Sequence, residues 1–346
     1  MRRFLFLIGI LIMLGTPVQA IDLSAPAPPD FAGDFMPSQP QNLPEGIREV
    51  LKMAVYRIRP DLKEASRVCL GIAAILMIVS VVRSMPGGVE KTADLVGSIV
   101  VSVLLLSSTG ALINLGAETV TQVSEYGKLL LPVLAAALGA QGAISTASAL
   151  YAGTAFFDAI LSQIIASILL PMIYVFLMLA IVNSAIGDDL MKKLKEAAKW
   201  LMTWSLKTLL YVFTGYIGIT GVVSGPTDAA ALKAAKLTIS GFVPVVGGIL
   251  SDASEAVLVS AGTVKNSIGL YGLFAVLAIW IGPFLKIGAH YLLLRLTGVI
   301  CSIFGSKGTS DLISDFATAM GYLLGMTGAV CLMLLISTVC FMRGVN

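Results

Sequence analysis

The chain has 346 residues, of which 57% are hydrophobic and only 12% charged, with a mean hydropathy of +0.92. A soluble domain carries roughly 25% charged residues, so too little polar side chain is present for a water-facing shell, and the sequence reads as an integral membrane protein. Lys and Arg outnumber Asp and Glu by only 23 to 20, and these charges fall between apolar runs, which excludes the single basic face of a nucleic-acid binder.

Met1 to Ala20 opens with Arg2-Arg3, continues through the apolar run Phe4 to Leu14 and closes on Val18-Gln19-Ala20. This is the layout of a secretory signal peptide (residues 1–20), and an uncleaved anchor has the same ingredients. Under either reading residue 21 starts outside the cytoplasm. Residues 21–46 hold Pro26, Pro28, Pro29, Pro37, Pro40 and Pro44 among Ser, Gln, Asp and Gly, the composition of an extracytoplasmic linker. From Ile47 the apolar positions Val50, Leu51, Ala54, Val55 and Ile58 follow helical spacing until Pro60 interrupts. Residues 47–67 are therefore predicted as an amphipathic surface helix, lying on the membrane or on a partner.

Residues 68–346 form a polytopic, permease-like membrane domain. Val68 to Val82 is charge-free but short for a hydrocarbon core of about 30 Å. Leu95 to Ala117 is long enough and is bounded by Asp94 and Glu118, and Glu118 to Lys128, with a single Lys, is expected as a connection on the outer side. Leu129 to Phe157 is charge-free yet rich in Ala, Gly, Ser and Thr, with Pro132, Gly139 and Gly142, which suits a broken, protein-buried hairpin. Ala159 to Gly187, carrying Pro171, crosses next. Asp188 to Lys207 mixes Lys192, Lys193, Lys195, Lys199 and Lys207 with Trp200 and Trp204, as an amphipathic interfacial helix does. Thr208 to Pro226 crosses again, Leu237 to Ser251 is a second broken segment, and Asn266 to Leu285 is the next span. Lys286 to Lys307 reads as a second basic connection before the last span, Phe316 to Met342. With both basic connections cytoplasmic, the expected fold is all-α, with about six spans and two re-entrant-type hairpins opening from the outer face.

Pro132 and Pro244 are 112 positions apart, as are Pro171 and Pro283, and Lys195 and Lys307. The order of span, broken segment, Pro-containing span and basic connection thus occurs twice, which predicts a two-fold internal repeat with units of about 95–206 and 207–318. Two spans per unit make such a repeat parallel; three make it inverted. Paired broken segments are where unwound backbone lines a transport or pore site. The candidate conduit or hairpin residues are Pro132, Gly139, Gly142 and Asp158 in the first segment, and Gly241, Pro244, Gly247, Gly248, Asp252 and Glu255 in or beside the second. Pro171 and Pro283 are expected helix kinks. For the ionisable members, an interfacial position is as good a reading as a pathway-lining one.

Little else offers chemistry. Cys69, Cys301, Cys331 and Cys340 lie in apolar stretches without metal-ligand spacing, and His290 has no ligand partner in its surroundings, so no metal, cofactor or catalytic residue is expected. Arg295 is read as a snorkelling or headgroup contact. Gly187-Asp188-Asp189 and Gly221-Val-Val-Ser224-Gly225 have no second aspartate or base to complete an intramembrane protease.

Ser240-Gly-Phe-Val-Pro-Val-Val-Gly-Gly-Ile-Leu-Ser-Asp-Ala-Ser-Glu255, then Gly282-Pro-Phe-Leu-Lys-Ile-Gly288, together with Leu131-Pro-Val-Leu134, resembles the stage III sporulation protein AE family of endospore-forming bacteria. The resemblance covers about residues 90 to 342. It implies a multi-pass protein of the mother-cell membrane around the forespore with an extracytoplasmic mature N-terminus. It also implies a non-enzymatic place in the channel, or feeding tube, that joins the two cells and sustains late forespore gene expression. The implied partners are the other stage III sporulation A-operon proteins, including a secretion-type ATPase and ring-forming proteins, and the forespore-side channel protein. Lys192, Lys193, Lys195 and Lys199 are the candidate cytoplasmic contact for such a partner. A stand-alone secondary transporter and a purely structural scaffold are the competing readings.

Overall fold

The computed structural model describes residues 25–37, 43–86, 90–140, 144–187, 189–219, 267–304 and 307–343. Among these the regular structure is entirely helical. A short helical turn at Asp30–Gly33 precedes α1 (Leu43–Arg57), α2 (Arg59–Arg83), α3 (Glu90–Ala140), α4 (Ile144–Ile164), a π-helical turn (Ile165–Leu169), α5 (Leu170–Ile186), α6 (Asp189–Ile219), α7 (Ser267–Phe304) and α8 (Lys307–Arg343).

Five of these stretches are long and apolar enough to cross a membrane: Arg59–Arg83, Glu90–Leu138, Ala147–Ile186, Ile268–Ile303 and Lys307–Met342. They contain the expected spans at 68–82, 95–117, 159–187, 266–285 and 316–342 almost completely. The expected span at 208–226 begins on α6 and runs into residues outside those described. Pro60 acts as foreseen: it occupies the first turn of α2, where its missing N–H costs nothing.

Side-chain contacts fix the direction of each rod. Gly116 and Gly127 of α3 lie against Leu323 and Leu334 of α8, a constant offset, so α3 and α8 run parallel. Gly97 against Val79 makes α2 antiparallel to α3, and Gly272 against Leu130 does the same for α7. Ser124 meets Asp158 and folds α4 back on α3. Ser184 meets Gly308, and Lys195 meets Asp315, so α5 is antiparallel and α6 parallel to α8. The α2/α3, α5/α6 and α7/α8 junctions therefore share one end of the bundle. Here α5 stops at Gly187, whose φ of +72° supplies the left-handed cap that L-residues avoid.

At the centre stands α8, its apolar window buried throughout, with α3, α5 and α7 around it. The exposed large apolar side chains concentrate on the half nearest the three shared junctions, among them Met77, Ile78, Val81, Val96, Val103, Val175, Met178, Val299 and Ile303. That belt is the surface lipid tails would wet.

Three expectations about connections need correction. Residues 118–128 do not turn: they continue α3, so the hairpin at 129–157 projects away from the shared junctions instead of re-entering from the far side. Pro132 does not break the chain there, since it sits inside an unbroken helix that runs on to Ala140. Proline removes a single intrahelical bond, and packing along α3 outweighs that loss. Asp188 to Lys207 is not a separate interfacial helix, because α6 runs on through it to Ile219. Nor is Lys286 to Lys307 a connection: α7 continues to Phe304.

Candidate functional site

The first hairpin places Asp158 deep in the bundle, 5% exposed, where it accepts a 2.7 Å hydrogen bond from Ser124 Oγ while its other oxygen is unpaired. Lys128, one turn beyond Ser124, is the cation that acts on it electrostatically. Ser124 escaped the sequence reading because a serine within a polar-looking segment gives no sign of facing inward until α4 is folded back on α3. Gly139 lies in the last turn of α3, and Gly142 falls outside the described residues, as do Gly241, Pro244, Gly247, Gly248, Asp252 and Glu255 of the second segment. Pro171 follows directly on the π-helical turn, which widens the backbone where proline cannot donate. Pro283 stays within an uninterrupted α7.

The four candidate lysines of α6 divide into two pairs. Lys192 and Lys193 are exposed. Lys195 points inward, 6% exposed, and donates to Asp315 Oδ2 at 2.5 Å. Lys199 lies 3.7 Å from the other oxygen of Asp315, 3.0 Å from Glu196, and over the Phe176 ring. Lys195 is thereby removed from any docking face. Around this pair Tyr322 donates to the Lys199 carbonyl at 3.1 Å, so Thr203 donates to the Tyr322 oxygen at 3.2 Å. Burial of an ion pair is tolerable only with this density of partners. Nothing in the sequence couples positions 120 apart on different helices, so the pair was illegible there.

Arg295 does not snorkel. Its guanidinium donates to Ser314 at 3.1 Å and Thr318 at 3.4 Å and lies over Tyr291, tying α7 to α8. Among the described residues no group of His, Cys, Asp and Glu is arranged to hold a metal.

A cavity of about 880 Å³ opens between α2, α3 and α7. Its walls are apolar at Ile99, Val100, Val103 and Leu104, then polar at Ser107, Ser108 and Asn114, and charged at Glu64, Glu118 and Lys286, with His290 beside them. Lys286 is held by Asp61 at 2.9 Å and Glu64 at 3.8 Å. Sequence reading treated His290 and Lys286 separately and assigned neither to a site; the i, i+4 spacing of the two on one helix was the available signal.

An apolar helical bundle with buried polar ties, and without metal ligands among the described residues, now stands beside the family comparison. The family model for stage III sporulation protein AE matches residues 41–344. The chain belongs to this family. It is also similar to the stage III sporulation protein AE of Bacillus subtilis (strain 168), with 24% identity over 249 residues, which cover 72% of this chain and 62% of the relative. The match thus spans less than two thirds of that relative's length. No solved structure matches the chain. Family membership gives the bundle a sporulation role, and its five long apolar helices give it a membrane as surroundings.

Proposed function

We propose that the chain is a non-enzymatic membrane component of the mother cell-to-forespore channel, needed for late forespore gene expression and spore formation. The family match across residues 41–344 carries this reading. In it the protein sits in the mother-cell membrane around the forespore, and residues 1–20 direct the N-terminus outward. The three shared junctions face the mother-cell cytoplasm, because Lys192, Lys193 and Lys307 cluster near that end. The α3–α4 hairpin points toward the forespore side, as the conduit or its support. The helices bearing Pro171 and Pro283 run in the same direction, as do those bearing Lys195 and Lys307, which favours a parallel repeat.

A clean deletion in the host tests the proposal. Vegetative growth is expected to be normal, with heat-resistant spores and a late forespore reporter both lost after engulfment. Normal sporulation with a nutrient-specific growth defect overturns the reading and makes the stand-alone transporter the better account.

The cytoplasmic contact narrows to Lys192 and Lys193, the two exposed members of the original four. Reversing both, K192E with K193E, is expected to abolish co-purification of the secretion-type ATPase while the protein still accumulates in the membrane. Unchanged recovery of the ATPase removes this face from the proposal. Surface charge changes of this kind act on recognition and little on folding.

A further inference from the structure

We infer that the cavity between α2, α3 and α7 is a binding site for one aminophospholipid, with a phosphoethanolamine headgroup, from the leaflet on the side away from the three shared junctions. Three observations converge on that ligand. The cavity has its own polarity gradient: Val100 and Val103 lie nearer the shared junctions, whereas Glu118 and Lys286 lie at the other end. From Val103 to Glu118 is 15 residues, or about 22 Å of helix, comparable to one leaflet with its headgroup. The apolar wall also merges with the lipid-facing belt, since Val100 and Val103 are 42% and 63% exposed on the bundle surface.

The charged end selects the headgroup. Glu118 has no cation within 4 Å among the described residues, and its carboxylate accepts from the neutral amide of Gln122 at 2.9 Å. His290 is 5% exposed, and its Nδ1 faces the Lys286 carbonyl at 3.0 Å. A carbonyl only accepts, so Nδ1 carries the hydrogen. Glu118 and Glu64 offer acceptors to an ammonium group, and Lys286 offers a donor to a phosphate. An anionic headgroup without an amine meets an excess of carboxylates here, and a choline headgroup has no N–H to donate.

The test uses the full-length chain purified in mild detergent, with native mass spectrometry of bound dioleoyl lipids added singly. Phosphatidylethanolamine is expected to be retained in preference to phosphatidylglycerol and phosphatidylcholine. Glu118→Gln removes a charge-assisted bond and is expected to weaken that retention about tenfold. Val103→Trp, at an exposed position that folding tolerates, fills the apolar end and is expected to abolish it. Retention of phosphatidylglycerol equal to that of phosphatidylethanolamine, or retention unchanged in both variants, overturns the site. Displacement of the lipid by millimolar glycerophosphoethanolamine also overturns it, because the occupant would then be a water-borne solute.

Discussion

Asp315→Leu is expected to be among the most destructive single substitutions in the described bundle. It removes the carboxylate that neutralises Lys195, leaving an ammonium group buried against α8 with no counter-charge closer than the partners of Lys199. Breaking a buried pair from one side costs about 3–5 kcal/mol, a large share of a typical folding free energy. The protein should therefore fail to accumulate in membranes, or lose protease resistance after solubilisation. Replacing both partners, Lys195→Met with Asp315→Leu, should recover much of the loss, because the desolvation cost disappears along with the attraction. If the double variant is as damaged as the single one, the pair holds no special place and the damage comes from shape alone. The thermal midpoints of the four proteins in detergent, read as a double-mutant cycle, separate the two cases.

Gly116→Val combined with Gly127→Val is the second large effect. Added Cβ atoms at these positions would lie 3.1 Å from Leu323 and 3.2 Å from Leu334, closer than ordinary contact, and valine adds two methyl groups beyond that. Small residues let α3 and α8 approach closely along this seam, at membrane depth near Gly116, where such packing replaces the hydrophobic effect, and beyond the headgroups at Gly127. Overpacking costs about 1–3 kcal/mol at each site, and 11 residues of separation along α3 make the two costs roughly additive. Detergent-solubilised material should melt at a clearly lower temperature, with α3 the first helix to exchange its amide hydrogens. Equal protection of α3 in variant and parent would show that α3 does not rely on this seam.

Much of the architecture could be read from unbroken apolar runs, because a span needs only length and an absence of charge, both of which are local. The stretches 95–117 and 316–342 are examples. What failed was the assumption that polar residues end a helix. Glu118 to Lys128 and Asp188 to Lys207 look like loops or interfacial segments by composition. Polar side chains of both are accommodated within α3 and α6 by neighbours far away in sequence: Ser124 with Asp158, and Lys195 with Asp315. Pro132 misled in the same way, since proline advertises a break that tertiary packing can override. The candidate residues fared unevenly for a related reason. Asp158 lies buried at a helix contact, a placement its sequence left open between interface and pathway, whereas the cavity around Glu64, Glu118 and Lys286 draws on three helices and has no linear signature.

The unbroken length of α3 has a mechanical consequence. Its 51 residues make a rod of about 77 Å, and even tilted by 40° it overshoots a bilayer of about 40–45 Å including headgroups. One end must stand in water, and the parallel α8 and antiparallel α7 brace it along much of that reach. The far end of α3 is therefore carried at a fixed standoff from the membrane, set by residue count as rungs set the height of a ladder. Adding or deleting two helical turns in α3 and α4 together would raise or lower that platform by about 11 Å without altering its chemistry.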